Sequence, residues 1–169
     1  MHSVGTAHHY TTTIEWLGNR GTGTSGYRDY GREVLLTAVG KHPIEGSSDR
    51  TFHGNADRWN PEDMLVAALS QCHLLSYLHV AVLRGVVVTA YTDSAEGTME
   101  QTPDGGGRFV SVTLRPVVTV ASADMVEAAR TAHREASQKC FIANSVNFPV
   151  LHEPSILVDT AGGLSNVIA

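Results

Sequence analysis

Cysteine, lysine and aromatic side chains are scarce in this chain of 169 residues, and each shortage narrows what it can be. Only two cysteines occur, Cys72 and Cys140. Two thiols do not make the disulfide framework of a small secreted scaffold. A reducing cytoplasm is therefore the expected location, and there a cysteine pair is more often catalytic or metal-binding than structural. The only lysines are Lys41 and Lys139, and the arginines form no run. With a formal net charge of −5, the chain lacks the clustered positive surface that nucleic-acid phosphates require. The longest apolar stretch is broken by Ser70, Gln71, His73, Ser76 and His79, so no membrane span is expected. Met1 to Glu15 hold no charged segment followed by an apolar one, so no signal peptide is expected either.

Other chemistries lack their motifs. A protein-bound zinc needs three or four ligands at chelating spacing, and no CxxC, HxxxH or HExxH is present. The nine histidines are scattered. There is no GxSxG elbow, and no glycine run fits a P-loop or a dinucleotide fingerprint. No cofactor or metal is expected.

An ordinary core is available, with 42% apolar and 17% charged residues in a length that suits one domain. From Tyr10 to Trp16 the residues alternate as in a strand. Tyr27–Tyr30 and Glu33–Val39 read as further antiparallel strands, and residues 40–59 as a long polar connection. Such a loop in a compact domain is more often functional than idle.

The chain is organised around the segment that follows. Asn60 suits an N-cap, Pro61 the first helical position, and Glu62 and Asp63 the positive end of the dipole. The helix should run to about Arg84 and close at Gly85. It is apolar around most of its circumference, so it should be buried on nearly all sides, and a second copy of the chain is expected to cover part of it. Val86–Gln101 and Arg108–Val120 read as two long strands about the turn at residues 102–107. Asp124 with Glu127 forms a capping box before a second helix, Met125–Lys139, and Ser155–Val158 is a last strand. Residues 161–169 read as a weakly ordered tail. The expected class is α+β: antiparallel sheets packed on a long central helix and a second helix, in one domain over residues 1–169.

Cys72 lies in the middle of the first helix, too far in for the dipole to acidify it, so a reactive thiolate there needs a cation from elsewhere. As it stands, it is either a reactive thiol or a packed structural one. Cys140 follows a helix C-terminus, where the dipole disfavours a thiolate, and suits a resolving role better than an attacking one. His133, seven residues before Cys140, reads as a surface histidine. A hydrolase or transferase using Cys72 with a histidine base has no local signature here.

The run Asn60-Pro61-Glu62-Asp63-Met64-Leu65, with Cys72 ten residues after Glu62, resembles the signature of the osmotically induced protein C and organic hydroperoxide resistance family (OsmC/Ohr), in its OsmC-like branch. Cys140 at a helix end, followed by Asn144-Ser145, is similar to the second-cysteine region of that family. The resemblance covers about residues 10–158. The family often has proline directly after the second cysteine; here Phe141 stands in its place.

The resemblance implies a peroxiredoxin-like thiol peroxidase acting on organic or lipid hydroperoxides, in an intertwined two-fold homodimer with shared active sites. Cys72 would attack the peroxide, Cys140 would resolve the sulfenic acid as a disulfide, and a dithiol of lipoyl type would reduce it. An apolar wall drawn from Leu69, Leu75, Phe141 and Phe148 would favour alkyl peroxides. An arginine activates the thiol in the family, and a glutamate orients that arginine. Glu62 matches the glutamate; Arg50 is the favoured arginine, Arg20 the other, and Arg58 a third. Along a continuous helix Glu62 and Cys72 lie about 15 Å apart on different faces. Glu62 would then serve the Cys72 of the other subunit, with two such helices antiparallel about the two-fold axis. The alternative on the same scaffold is a non-catalytic protein that binds a hydrophobic ligand.

Overall fold

The computed structural model describes residues 5–160 and 167–168. Two compact units divide between Met64 and Leu65. In the first, β1 (Thr13–Trp16), β2 (Val34–Thr37) and β3 (Ile44–Gly46) form an antiparallel sheet in that order, with Thr13 opposite Thr37 and Val34 opposite Gly46. The chain between β1 and β2 folds back on itself: Gly31 N donates to Gly18 O at 2.7 Å, and a Cβ on Gly18 would run into the Gly31 carbonyl. Tyr27–Tyr30, expected as a strand, forms turns instead. The Arg32 guanidinium donates to the carbonyls of Tyr30 (2.6 Å) and Tyr27 (2.7 Å) and stands over both rings, which takes those carbonyls out of any ladder. Residues 40–59 are less irregular than expected. They hold β3 and a single 3-10 turn, Arg50–Phe52, capped where Asp49 Oδ1 accepts from Thr51 N at 2.7 Å.

Helix α1 (Pro61–Leu83) starts as its sequence requires: Asn60 Oδ1 accepts from Asp63 N at 2.7 Å. It ends at Gly85, which has φ +69°, the left-handed conformation that glycine takes at little cost. At 23 residues it is about 35 Å long, so length and composition alone would let it cross a bilayer. Burial is narrower than the sequence suggested. Leu69, His73, Tyr77, Val80 and Ala81 are buried, one stripe at i, i+4, i+8 spacing. Leu75 and Leu83 are exposed, as is Val82 at 76%. Within the second unit the sheets and α2 enclose that stripe and leave the faces at Leu75, Val82 and Leu83 uncovered.

The second unit holds β4 (Val88–Asp93), β5 (Glu96–Gln101), β6 (Gly107–Leu114), β7 (Pro116–Val120), α2 (Val126–Lys139), β8 (Val150–His152), β9 (Ser155–Val158) and β10 (Val167–Ile168). Their order is β10-β9-β7-β4 in one sheet and β5-β6-β8 in the other. The pairings are not all antiparallel: β6 with β8 and β7 with β9 run parallel. The α2 crossover brings the chain back in its original direction, which a parallel pair needs. Each of the two long strands expected from sequence breaks in the middle, at Ser94–Ala95 and at Arg115, and its halves join different sheets. Asp93 sets the bend: its Oδ1 accepts from Arg115 N at 2.7 Å, and its Oδ2 accepts from Ser70 Oγ of α1 at 2.5 Å. The expected capping box is not made. Ala123–Met125 form a 3-10 turn leading into α2, and no side chain caps it. The tail expected over residues 161–169 lies outside the described residues, except that Val167–Ile168 pair antiparallel with β9.

Among the described residues two apolar cores form. Tyr77, Val80 and Ala81 of α1 pack with the alanine face of α2, with Val118 and Val120 of β7, and with Ile156 of β9. Leu69 packs with Val112 and Leu114 of β6, bordered by Phe109 and Phe148.

Candidate active site

Cys72 and Cys140 meet in the second unit. Cys72 sits on α1 one turn before Ser76 and is partly exposed; Cys140 is the C-cap of α2 and 1% exposed. Both are free thiols, and they are close neighbours. Burial pushes the Cys140 thiol up to about 11, and the neighbouring Cys72 thiol adds to the rise. Cys140 therefore keeps its proton at neutral pH. The backbone around it is fixed: Ala143 N donates to Cys140 Sγ at 3.4 Å, and Asn144 Nδ2 donates to Gln138 O at 3.0 Å. On α1, the Ser70–Asp93 bond anchors the turn that carries Cys72. Chemically this is a close dithiol with one accessible member and one protonated, enclosed member.

The other expected site residues belong to the first unit. Arg20 is exposed in the loop after β1, next to Asn19, whose Oδ1 accepts from Gly21 N and Gly23 N. Arg50 is exposed at the start of its 3-10 turn. Arg58 pairs with Glu45 at 3.7 Å. Glu62 lies in the first turn of α1, and its Oε2 is buried without a hydrogen-bond partner among the described residues. The first unit also contains an apolar cavity of about 390 Å³, walled by Ile14, Trp16, Val34, Leu36, Trp59 and Met64.

The expected apolar wall does not assemble in one chain. Leu69 and Phe148 share a core, but Leu75 and Phe141 (81% exposed) face outward. His133 is not a surface residue: it is 3% exposed. It forms a cluster with the buried His73 of α1 and the half-buried His152 of β8. His73 Nε2 and His133 Nδ1 share a hydrogen bond at 3.0 Å, and the His152 ring lies 4.4 Å from that of His73. Tyr77 stacks on His133 at 4.0 Å and donates from its Oη to Ala129 O at 3.3 Å. Burial holds His73 down at about 3, helped by its two histidine neighbours, and His133 at about 4. His152 is also lowered by burial, against the pull of Asp93. All three are neutral at pH 7. Among the described residues no group of three or more His, Cys, Asp or Glu is placed to hold a metal ion. The sequence carried a signal for this cluster. His73 lies four residues from both Leu69 and Tyr77 on the buried stripe, and His133 lies four residues after Ala129 on the alanine face.

Residues 54–154 match the family model described as OsmC-like protein. Comparison with curated proteins finds no match. Among solved structures, the chain is similar to an OsmC-like protein of unknown function from Vibrio cholerae O1 biovar eltor. Identity is 27% and the TM-score 0.78, over 88% of this chain and 99% of that one. It shares its fold with an organic hydroperoxide resistance protein from Elizabethkingia anophelis (19% identity, TM-score 0.66, 90% and 98% covered). It also shares its fold with one from Legionella pneumophila (18%, 0.63, 90% and 98%).

Proposed function

This chain belongs to the OsmC-like protein family, and from that premise we propose that it is a thiol peroxidase that reduces organic hydroperoxides through Cys72. The observation that carries the reading is the neighbouring pair of free thiols, one accessible and one enclosed. The Cys72 thiolate attacks the outer peroxide oxygen. The O–O bond breaks, the alkoxide leaves and takes a proton from solvent to become the alcohol, and Cys72 becomes a sulfenic acid. The Cys140 sulfur then attacks the Cys72 sulfur, water leaves, and a disulfide forms. An external dithiol of lipoyl type takes up the oxidation and restores both thiols. A reducing cytoplasm suits this cycle.

Cys72 still requires a cation. Arg50 is the favoured source and Arg20 the other, held by Glu62. Along α1, Glu62 stands about 15 Å from the Cys72 of its own chain, so these groups come from a partner subunit of a two-fold dimer. Two features support this: the apolar faces of α1 left uncovered at Leu75, Val82 and Leu83, and the buried, unpartnered Oε2 of Glu62.

The test treats reduced protein with substoichiometric cumene hydroperoxide and follows both thiols by mass spectrometry. Two thiols are lost together as a Cys72–Cys140 disulfide. Cys72→Ser abolishes turnover, while Cys140→Ser gives one turnover and stops at a sulfenic acid. A rate no faster than that of free cysteine would refute the peroxidase. It would favour the second reading, a carrier of an apolar ligand, for which the cavity of the first unit speaks.

A further inference from the structure

The buried histidines occupy the same two helices as the thiols. His73 follows Cys72 directly on α1, and His133 precedes Cys140 by seven residues, about 10 Å along α2. Their 3.0 Å bond joins the helices where both rings are enclosed. His152 closes one side of the pair and Tyr77 the other. Breaking such a bond leaves two buried ring nitrogens unpaired, which the surrounding apolar cluster does not compensate.

Disulfide closure tolerates little slip. The Cα atoms must come within about 4.4–6.8 Å of each other with a fixed S–S geometry. Misplacement by about 1 Å slows a well-oriented reaction by about a hundredfold. A side-chain bond that fixes the register of α1 on α2 therefore acts on the thiols at a distance.

We propose that His73 and His133 are positioning residues for the thiol pair: their shared hydrogen bond sets the register of α1 against α2 in which Cys140 closes on Cys72. Neither ring touches substrate. The proposal rests on the reading that the two cysteines cycle through a disulfide, but it does not depend on peroxide as the oxidant.

The experiment therefore uses glutathione disulfide. The Cys72 thiolate attacks it, forming a mixed disulfide and releasing one glutathione thiolate. Cys140, losing its proton to solvent, then displaces the second glutathione and forms the intramolecular disulfide. Quenched samples analysed by mass spectrometry separate the two steps. Wild-type protein accumulates little mixed disulfide. His133→Leu accumulates it and closes at least about tenfold more slowly, with the first step unchanged within about twofold. His133→Asn, whose Oδ1 takes the place of Nδ1, restores closure. Wild-type closure in His133→Leu, or Asn and Leu variants equally slow, would overturn the assignment. If His133→Leu fails to fold, His133→Phe keeps the stack on Tyr77 and is read by the same criteria. The wild-type protein gives a reading that needs no variant: histidine ring ¹⁵N shifts report a neutral hydrogen-bonded pair in the reduced form, and a free pair there would refute the proposal. Loss of peroxidase activity with normal glutathione-driven closure would sink the peroxidase reading and leave this one standing.

Discussion

Acidification is the perturbation that the buried histidines make most informative. His73 and His133 ionise near 6.5 when exposed, but near 3 and 4 in the fold, chiefly because burial disfavours the imidazolium. Between those values the unfolded chain binds protons that the folded chain does not, so stability falls as pH falls. From about pH 7 to about pH 5, each neutral histidine accounts for up to about 2 kcal/mol, and the pair for up to about 4 kcal/mol. Carboxylates with lowered values, such as Asp49, Asp104 and Glu135, begin to matter only at lower pH. Urea denaturation followed by circular dichroism, at constant protein concentration, is the assay. With an m-value of about 2 kcal/mol per molar urea, the midpoint should drop by about 1–2 M over this range. His133→Asn should roughly halve the drop. A midpoint independent of pH, or a variant with the full wild-type slope, would refute the claim that these rings are enclosed and neutral.

Three substitutions probe the elements that carry the site. Leu69→Ala empties a fully buried position against β6 and should cost about 2–5 kcal/mol in urea unfolding; a change under about 1 kcal/mol would mean that α1 does not seat there. Asn60→Ala removes the acceptor of the Asp63 N–H and should cost about 1 kcal/mol, whereas Asn60→Gly should cost only a few tenths. Gly85→Ala meets no neighbour within 4 Å, so its cost should be the left-handed backbone alone, about 1 kcal/mol. An unchanged thermal midpoint in that variant would show that the helix ends differently.

Local chemistry made α1 legible. The Asn60-Pro61-Glu62 start and the Gly85 stop are short-range signals, and the structure uses both. Where long-range contacts decided, sequence pattern fell short. Residues 86–101 and 108–120 carry strand composition throughout, and nothing in it marks the bends at Ser94–Ala95 and Arg115. Those bends depend on Asp93 reaching the Arg115 N–H, more than twenty residues away. Tyr27–Tyr30 has strand propensity, but its carbonyls are taken by Arg32. Asp124 and Glu127 have capping-box spacing, but a 3-10 turn claims the start of α2.

For the site the division is similar. The sequence by itself determined which groups were available. There are two cysteines, each tied to one helix, and an acid ten residues before the first, because helix caps and spacing act over a few residues. Only the tertiary structure decided that Cys72 and Cys140 are neighbours and that Cys140 is the enclosed, protonated member. It also turned His133 from an apparent surface residue into the buried partner of His73. The physical reason is the same throughout. Burial and pairing are properties of the packed helices and sheets, which bring residues about sixty positions apart into contact and exclude water from between them.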